Sequence, residues 1–256
     1  MKSQKKSVLL LVTLALTVVV SSAALQEQTQ KNSMPSSQEE ATPVQEGVMT
    51  EKQRVHANLF KKQYEYRKAK KLSSLTGNDT VGVEIGIPNI PSSPSPPTFS
   101  LYEFLKSLSC QADAIVVGAV KSKSAQLTED ETFIFTDYEV RVEEIIKNNV
   151  AAAIQVKGEL TLARPGGVVS LNGRTIYALD RSFKPLELGG RYLLFLQFIP
   201  STGAYKQLNS KGSYQIKEGN KRIKLTNEPL PSELENGDDV DSFLNELRHA
   251  NNSCHN

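Results

Sequence analysis

The sequence predicts a mainly β domain, a small antiparallel barrel or sandwich between two short helices. At least six segments between residues 112 and 224 show the alternation or the β-branched composition of strands. Helical patterns do not separate these segments, which argues against the alternating strands and helices of a parallel sheet. Residues 99–250 are numerous enough to bury one hydrophobic core, and we assign them to one domain.

The two flanking helices are predicted from apolar residues at helical spacing. The first follows Ser100 and Glu103, which are placed to form a capping box, and should end near Cys110. Its apolar positions are Leu101, Phe104, Leu105 and Leu108. The second follows Asp238 and Asp239, whose side chains suit the start of a helix. Its apolar positions are Val240, Phe243, Leu244 and Leu247.

Five strand segments carry the clearest patterns. The first reads "DAIVVGAVKSKS", with Gly118 as a bulge or bend, and the next two read "TFIFTDYEVRVEEIIK" and "GELTLAR". A fourth and a fifth, "VVSL" and "RTIYAL", flank Asn172-Gly173, which predicts a hairpin with a type I′ turn. Later, "RYLLFLQFI" has the nearly continuous apolar composition of a central strand, and two or three short strands follow it.

Residues 164–167 read Arg-Pro-Gly-Gly and join two of the predicted strands. A loop that grips a phosphate needs glycines that lead into the N-terminus of a helix, whereas a strand follows here. We therefore interpret the stretch as a bend and expect Arg164 to be a solvated residue at a strand end. If the stretch binds a ligand instead, the candidate ligand residues are Arg164, Gly166 and Gly167.

Residues 1–24 have the layout of a secretory signal peptide. Three lysines precede an uncharged run at 8–20, and small residues follow at 21–24. We expect cleavage near Ala23 or Ala24 and a secreted or periplasmic product. The alternative is an uncleaved N-terminal anchor, although the apolar run is short for a membrane span.

Three further segments precede the domain. Residues 25–50 are polar and predict a disordered spacer. Residues 51–72 predict a basic helix, either a solvated linker or a surface-seeking helix that contacts an anionic membrane through residues 51–71. Residues 73–98 include five prolines between 87 and 97 and predict an extended linker. We expect residues 26–97 to contribute little to the core.

The charge balance argues against a nucleic-acid partner. After removal of the signal peptide the chain has 27 basic and 28 acidic residues. Such a chain has no basic excess to neutralise a phosphate backbone, and it contains no Trp for base stacking. Nucleic acid is therefore an unlikely partner.

Cys110 and Cys254 are the two cysteines of the chain. In an oxidising compartment they can form a disulfide that closes a loop of about 144 residues. The alternative is a buried free Cys110 and a frayed tail at residues 251–256 that carries Cys254. The sequence leaves both open.

The predicted barrel carries no recognisable catalytic motif. The three histidines, His56, His249 and His255, lie outside it, and no Gly-x-Ser-x-Gly sequence occurs. We assign no catalytic, cofactor-binding or metal-binding residue. This favours an exported non-catalytic binding or interaction module for a protein or an envelope component. The alternative is a secreted enzyme inhibitor, or an enzyme with an unrecognised site.

Residues 110–217 resemble a domain of exported bacterial proteins of uncharacterised function. The resemblance lies in the string "ADAIVVGAV…FTDYEVRVEEIIK…ARPGG…FKPLELGGRYLLFL…GAY…GSYQI". More distantly, this order is similar to netrin-type OB-folds, which include the N-terminal domain of tissue inhibitors of metalloproteinases. The resemblance implies an OB-like barrel. Those inhibitors ligate the protease zinc through an N-terminal cysteine, whereas this mature chain would begin with Ala or Leu, so that mechanism is not implied.

Overall fold

Strands contain more of the described residues than helices do, so the prediction of a mainly β fold is confirmed. The computed structural model describes residues 42–43, 49–63, 71–74, 80–84, 100–180, 183–217, 221–224 and 239–255. The signal peptide predicted for residues 1–24 lies outside these residues, as do most of the predicted spacer and linker. The described residues belong to one compact unit, Glu39–Asn256.

The described residues form three α-helices and eleven strands. The helices are α1 (Glu51–Gln63), α2 (Leu101–Gln111) and α3 (Val240–Asn252), and 3-10 turns cover Leu72–Ser74 and Ser253–His255. The strands are β1 (Thr42–Pro43), β2 (Thr80–Glu84), β3 (Ala114–Leu127), β4 (Ile134–Lys147), β5 (Glu159–Pro165), β6 (Gly167–Leu171), β7 (Arg174–Leu179), β8 (Arg191–Ile199), β9 (Ala204–Gln207), β10 (Ser213–Lys217) and β11 (Lys221–Lys224).

Five strands of the larger sheet form a closed ring. Strand β3 pairs with β4, β4 with β5, β5 with β9, β9 with β8, and β8 returns to β3. The β5–β9 pair is parallel, and the other four pairs are antiparallel. Strands β10 and β11 extend the sheet outward from β8. The register shifts between Val117 and Gly118, so the bulge predicted at Gly118 is present.

A smaller four-stranded sheet lies in the order β1-β6-β7-β2. The hairpin β6–β7 forms its centre, while β1 and β2 add parallel edges on either side. Both edge strands come from segments predicted to be a disordered spacer and an extended linker, so those predictions are wrong for residues 42–43 and 80–84. The alternating Thr-Val-Gly-Val-Glu of β2 was a strand signal beside the proline-rich stretch.

Strands β3 and β8 present alternate residues to two separate cores. On one face, Ile115 and Phe195 pack with the apolar residues of α2 and α3. On the other face, Val116 and Leu194 pack with residues of β4, β5 and β9 inside the ring. Helix α2 begins at the predicted capping box, in which Ser100 and Glu103 each bond the backbone N–H of the other.

A disulfide joins Cys110 at the end of α2 to Cys254 in the turn after α3, with a Cα–Cα separation of 5.2 Å. Helix α3 continues to Asn252, and the 3-10 turn carries the fold on to His255. The frayed tail predicted for residues 251–256 is therefore wrong for 251–255. The reason is that Asn251 is buried against the domain while the disulfide fixes the following turn.

Helix α1 packs one side against the ring. Ala57 and Phe60 are buried, and the Phe60 ring stacks near those of Phe133 and Phe135, with centroid separations of 6.2 Å. Leu72, in the turn after the helix, is buried in the same cluster. The N-terminal segment thus supplies part of a third core, which lies beneath α1 and the β6–β7 hairpin.

The basic helix predicted at 51–72 is present over Glu51–Gln63, but the expectation of a solvated linker is wrong for α1. The expectation that residues 26–97 add little to the core fails for the same reason. The buried side of α1 uses Ala57 and His56 beside Phe60, and hydrophobic patterns count alanine and histidine weakly, so the sequence understates how much of this helix is buried. Contact between residues 51–71 and a membrane stays a prediction.

The turn between β6 and β7 is built as predicted. Asn172 has φ of 52° and Gly173 has φ of 74°, the left-handed values that a type I′ turn requires. A Cβ added at Gly173 would meet no atom within 4 Å. Any cost of a side chain there therefore comes from the backbone conformation alone.

Gly173→Val is expected to lower the free energy of unfolding by about 1–2 kcal/mol, because a branched residue is strained at positive φ. Urea unfolding measures this change. Asn172→Gly is the control, since glycine accepts the same conformation, and it should change stability by less than about 0.5 kcal/mol. Equal effects of the two substitutions would contradict the turn assignment.

Candidate functional site

Among the described residues, a set of polar contacts between distant segments lies where α1 crosses the ring. The helix covers one surface made by β4 and β5 and by two loops at their end. The first loop, residues 128–133, joins β3 to β4, and the second, residues 200–203, joins β8 to β9. We call this surface the ring face.

His56 is the centre of the contact. Its side chain is fully buried, with Nδ1 2.8 Å from Asp137 Oδ1 on β4 and Nε2 3.1 Å from Thr202 Oγ1 in the second loop. The edge of the imidazole also meets the ring of Phe135. An acid, a histidine and a hydroxyl in this order form the arrangement of a hydrolytic triad. The expectation that no histidine lies at the barrel is wrong, because α1 brings His56 to it.

Two ion pairs tie α1 to the first loop. Arg54 Nε lies 2.9 Å from Glu129 Oε1, and Lys61 Nζ lies 2.5 Å from Asp130 Oδ2. Between them is a cleft of about 160 Å³. It is lined by Met49, Arg54, Ala57, Asn58, Lys61, Thr128, Glu129 and Asp130. The walls are polar and partly charged, which suits a polar segment of a macromolecule better than an apolar small molecule.

A third polar link runs from the first turn of α1 to β5. Lys52 Nζ donates to Thr161 Oγ1 at 2.7 Å, and the Thr161 hydroxyl donates to Glu139 Oε1 at 2.8 Å. The contacts of α1 therefore reach both strands of the ring face and both loops.

Asp130 organises the first loop. Its Oδ1 accepts from the hydroxyls of Thr128 and Thr132 at 2.7 and 2.8 Å, while its Oδ2 faces Lys61. Partial burial by itself would raise the pKa of Asp130. The hydrogen bonds from Lys61, Thr128 and Thr132 outweigh that cost, and together they hold the pKa well below its usual range.

Asp130→Asn is expected to destabilise the chain at neutral pH and to have no effect in strong acid. A carboxyl whose pKa is lowered by folding stabilises the fold above its unfolded pKa of about 3.9, and this contribution is lost as the pH falls. Urea unfolding from pH 7 to pH 2 measures the difference. Glu129→Gln is the control, because that carboxylate is mostly exposed and its pair should contribute little. If Asp130→Asn changed the free energy of unfolding by the same amount at every pH, the lowered pKa of Asp130 would be contradicted.

The Arg-Pro-Gly-Gly stretch lies elsewhere, between β5 and β6. Gly166 and Gly167 have φ of 87° and 147°, and the Thr136 hydroxyl donates to Gly166 O at 2.7 Å. Arg164 is buried; its Nη1 donates to Lys184 O at 2.8 Å. The structure brings Arg164, Gly166 and Gly167 together around a cavity of about 10 Å³, room for roughly one water molecule.

The chain was also compared with known proteins. It matches no protein-family model and no curated protein. In the part of the chain that the structure describes, no helix is long and apolar enough to cross a membrane. The described residues also contain no group of three or more metal-ligating side chains close enough to hold an ion.

Arg164→Ala is expected to lower the free energy of unfolding by roughly 1.5–3 kcal/mol. The earlier expectation of a solvated residue is wrong, since the side chain is 2% exposed and its guanidinium lies 5.6 Å from the Phe183 ring centroid. Removing it takes the charged donor from the Lys184 carbonyl and leaves a cavity in place of a buried side chain. Arg141→Ala, at an exposed position on β4, is the control and should cost less than about 0.5 kcal/mol.

Proposed function

We propose that the chain is an exported, non-catalytic module that binds another protein, or another component of the cell envelope, through the ring face. The observation that carries this proposal is that the ring face already binds a segment of the chain, α1, which comes from outside the ring strands. The contact uses ion pairs, a buried polar link and an aromatic cluster, which are the means by which protein interfaces are held.

The order of the ring strands supports an OB-like barrel as the scaffold. Counted along the chain, the five strands close in the order 1-2-3-5-4, and only the third and fifth are parallel. In OB-folds, the second and third strands and the loops 1–2 and 4–5 form the ligand-binding surface. The same elements here are β4, β5 and the loops 128–133 and 200–203, which make up the ring face. The netrin-type resemblance of residues 110–217 agrees with this scaffold.

The disulfide supports export. Disulfides persist in oxidising compartments and are rare in the cytosol, and the Cys110–Cys254 bridge joins two helices of the domain. The predicted signal peptide at residues 1–24 points the same way. N-terminal sequencing of the mature protein tests this part, and a product beginning at Met1 or Lys2 would contradict it.

Site-specific photo-cross-linking tests the binding surface. A photoreactive phenylalanine analogue replaces Glu129, whose side chain is 61% exposed at the ring face, in the disulfide-bonded chain within its native envelope. The matched control places the analogue at Val150, a fully exposed residue in the loop at the opposite end of β4. We expect a discrete cross-linked partner from position 129 and none from position 150.

Other patterns contradict the proposal. The same products from both positions would mean non-specific contact, and products only from position 150 would place binding elsewhere. No product from either position would argue against a binding module. The loss of the Glu129 carboxylate does not obscure the result, because an exposed ion pair contributes little to stability.

A second candidate function is hydrolysis, which the His56–Asp137–Thr202 arrangement favours. A nucleophilic hydroxyl needs a base with open access to substrate, whereas the His56 side chain is fully buried. A broad hydroxyl-directed fluorophosphonate probe decides between the two. Labelling of the chain that Thr202→Ala abolishes would establish an enzyme; absence of labelling favours the structural role of His56.

A further inference from the structure

We infer that the ring face is an acceptor for a basic amphipathic helix, and that α1 occupies it as a replaceable internal ligand. The partner defined by this inference is a protein that presents such a helix. The inference rests on the proposed function, because it names the kind of partner that the ring face takes.

The charges of the two surfaces are complementary. The ring face contributes four carboxylates to the contact. The helix contributes two lysines and an arginine as cations, and His56 as a hydrogen-bonding partner of Asp137. Three of these helix side chains touch a carboxylate directly, and Lys52 reaches Glu139 through Thr161. The carboxylates are Glu129, Asp130, Asp137 and Glu139. A helix with basic residues at the corresponding positions would meet the same partners.

The apolar part of the contact centres on Phe60, with Ala57 and Leu72 buried in the same cluster. His56 and Phe60 are one helical turn apart, so they lie on the same side of the helix. Phe60 stacks near Phe133 and Phe135, and His56 meets Phe135 edge-on. An acceptor of this form recognises a helix that carries a polar anchor and, four residues later, an aromatic ring. Basic residues on both sides of these two anchors pair with the carboxylates of the ring face. This is the groove-binding mode in which spaced side chains of a helix act as anchors.

The ion pairs of α1 are at the rim and are partly exposed. A helix of 13 residues is also barely stable on its own in water, so its docking depends on the few anchors and on its attachment to the chain. Loss of one anchor should therefore release the ring face while the two cores on either side of β3 and β8 stay intact, because they contain no residue of α1.

Peptide exchange with the full disulfide-bonded chain tests the inference. The probe is a fluorescent peptide of residues 49–63, and its affinity is measured by anisotropy. Wild type should bind it weakly because α1 occupies the site. Phe60→Ala in the chain should bind the unchanged peptide at least about tenfold more tightly, since the internal helix loses its aromatic anchor. Val150→Ala, at a fully exposed position in the loop at the opposite end of β4, is the control and should behave like wild type.

A charge reversal provides a second variant that leaves the cores untouched. Arg54→Glu places a carboxylate opposite Glu129, so it should also strengthen peptide binding. The double variant Arg54→Glu/Glu129→Arg restores the internal pair and repels the peptide's arginine, and binding should return to the wild-type level or below. A peptide of the same composition in scrambled order should not bind Phe60→Ala.

The inference is overturned if Phe60→Ala and Arg54→Glu both bind the peptide no better than wild type while unfolding cooperatively. Equal binding of the scrambled peptide would also overturn it, because attraction would then be non-specific charge. Cross-linking from position 129 separates this failure from that of the proposed function. If the same amount of partner is cross-linked in wild type and in Phe60→Ala, the proposed function stands, but the inference that α1 is replaceable fails. If the peptide exchanges but no partner is cross-linked, the replaceable helix stands and the proposed binding function fails.

Discussion

A chain that begins at Thr98 is expected to be less stable than one that begins at Ala41 by about 3–6 kcal/mol. The shorter chain loses Phe60 and Leu72, which are 2% and 4% exposed, and burial of each such side chain contributes about 1.5–3 kcal/mol. It also loses β1, β2 and the contact between His56 and Asp137. Urea unfolding of both disulfide-bonded chains measures the difference, with the chain from Ala41 as the reference because it keeps every described residue.

A single substitution shows which part of the segment matters. Phe60→Ala in the longer chain removes the aromatic anchor alone and should produce roughly half of the loss. Coincident unfolding curves for the two chain lengths would contradict the packing of α1 on the ring. A Phe60→Ala variant as stable as its parent would assign the loss to the rest of the segment, which includes Leu72, His56, β1 and β2.

Replacing both cysteines with serine is expected to cost about 4–5 kcal/mol. The bridge closes a loop with a sequence separation of 144, and the loss of chain entropy in the unfolded state grows with the length of such a loop. For a domain of this size the change corresponds to a fall in Tm of about 8–20 °C. Differential scanning calorimetry of wild type and of Cys110→Ser/Cys254→Ser measures it.

The reductant provides the matched control for this prediction. Adding it should shift wild type to the Tm of the double variant and leave the variant itself unchanged. A variant that melts with oxidised wild type would show that the bridge adds no stability. A variant that is itself shifted by reductant would mean that the change in Tm has another source.

Much of the fold could be predicted because its signals are local. The capping box at Ser100, the bulge at Gly118 and the turn at Asn172-Gly173 each depend on residues close in sequence, and all three are present. The closure of the five strands into a ring could not be predicted from such local signals. The parallel β5–β9 pair joins residues about 40 positions apart, and periodicity carries no information on which strands become neighbours.

The ring face was missed for a related reason. His56 and Asp137 are 81 residues apart, and His56 and Thr202 are 146 apart, so no motif spacing connects them. Arg164 was misplaced because a long charged side chain after an alternating strand usually points to solvent, whereas here the 183–187 segment folds over it. The local composition near residue 56 indicated a basic helix, but only the tertiary structure shows what that helix covers.

The position of Cys254 in the chain determines how early the disulfide with Cys110 can form. Every ring strand precedes this residue, so during synthesis all five strands emerge before the second thiol does. A chain whose synthesis has reached only the ring strands carries Cys110 but not yet Cys254. The bridge therefore plays no part in the first pairing of ring strands on a growing chain. Once Cys254 has emerged, the bridge links the start of the domain to its end, across α2 and the turn after α3.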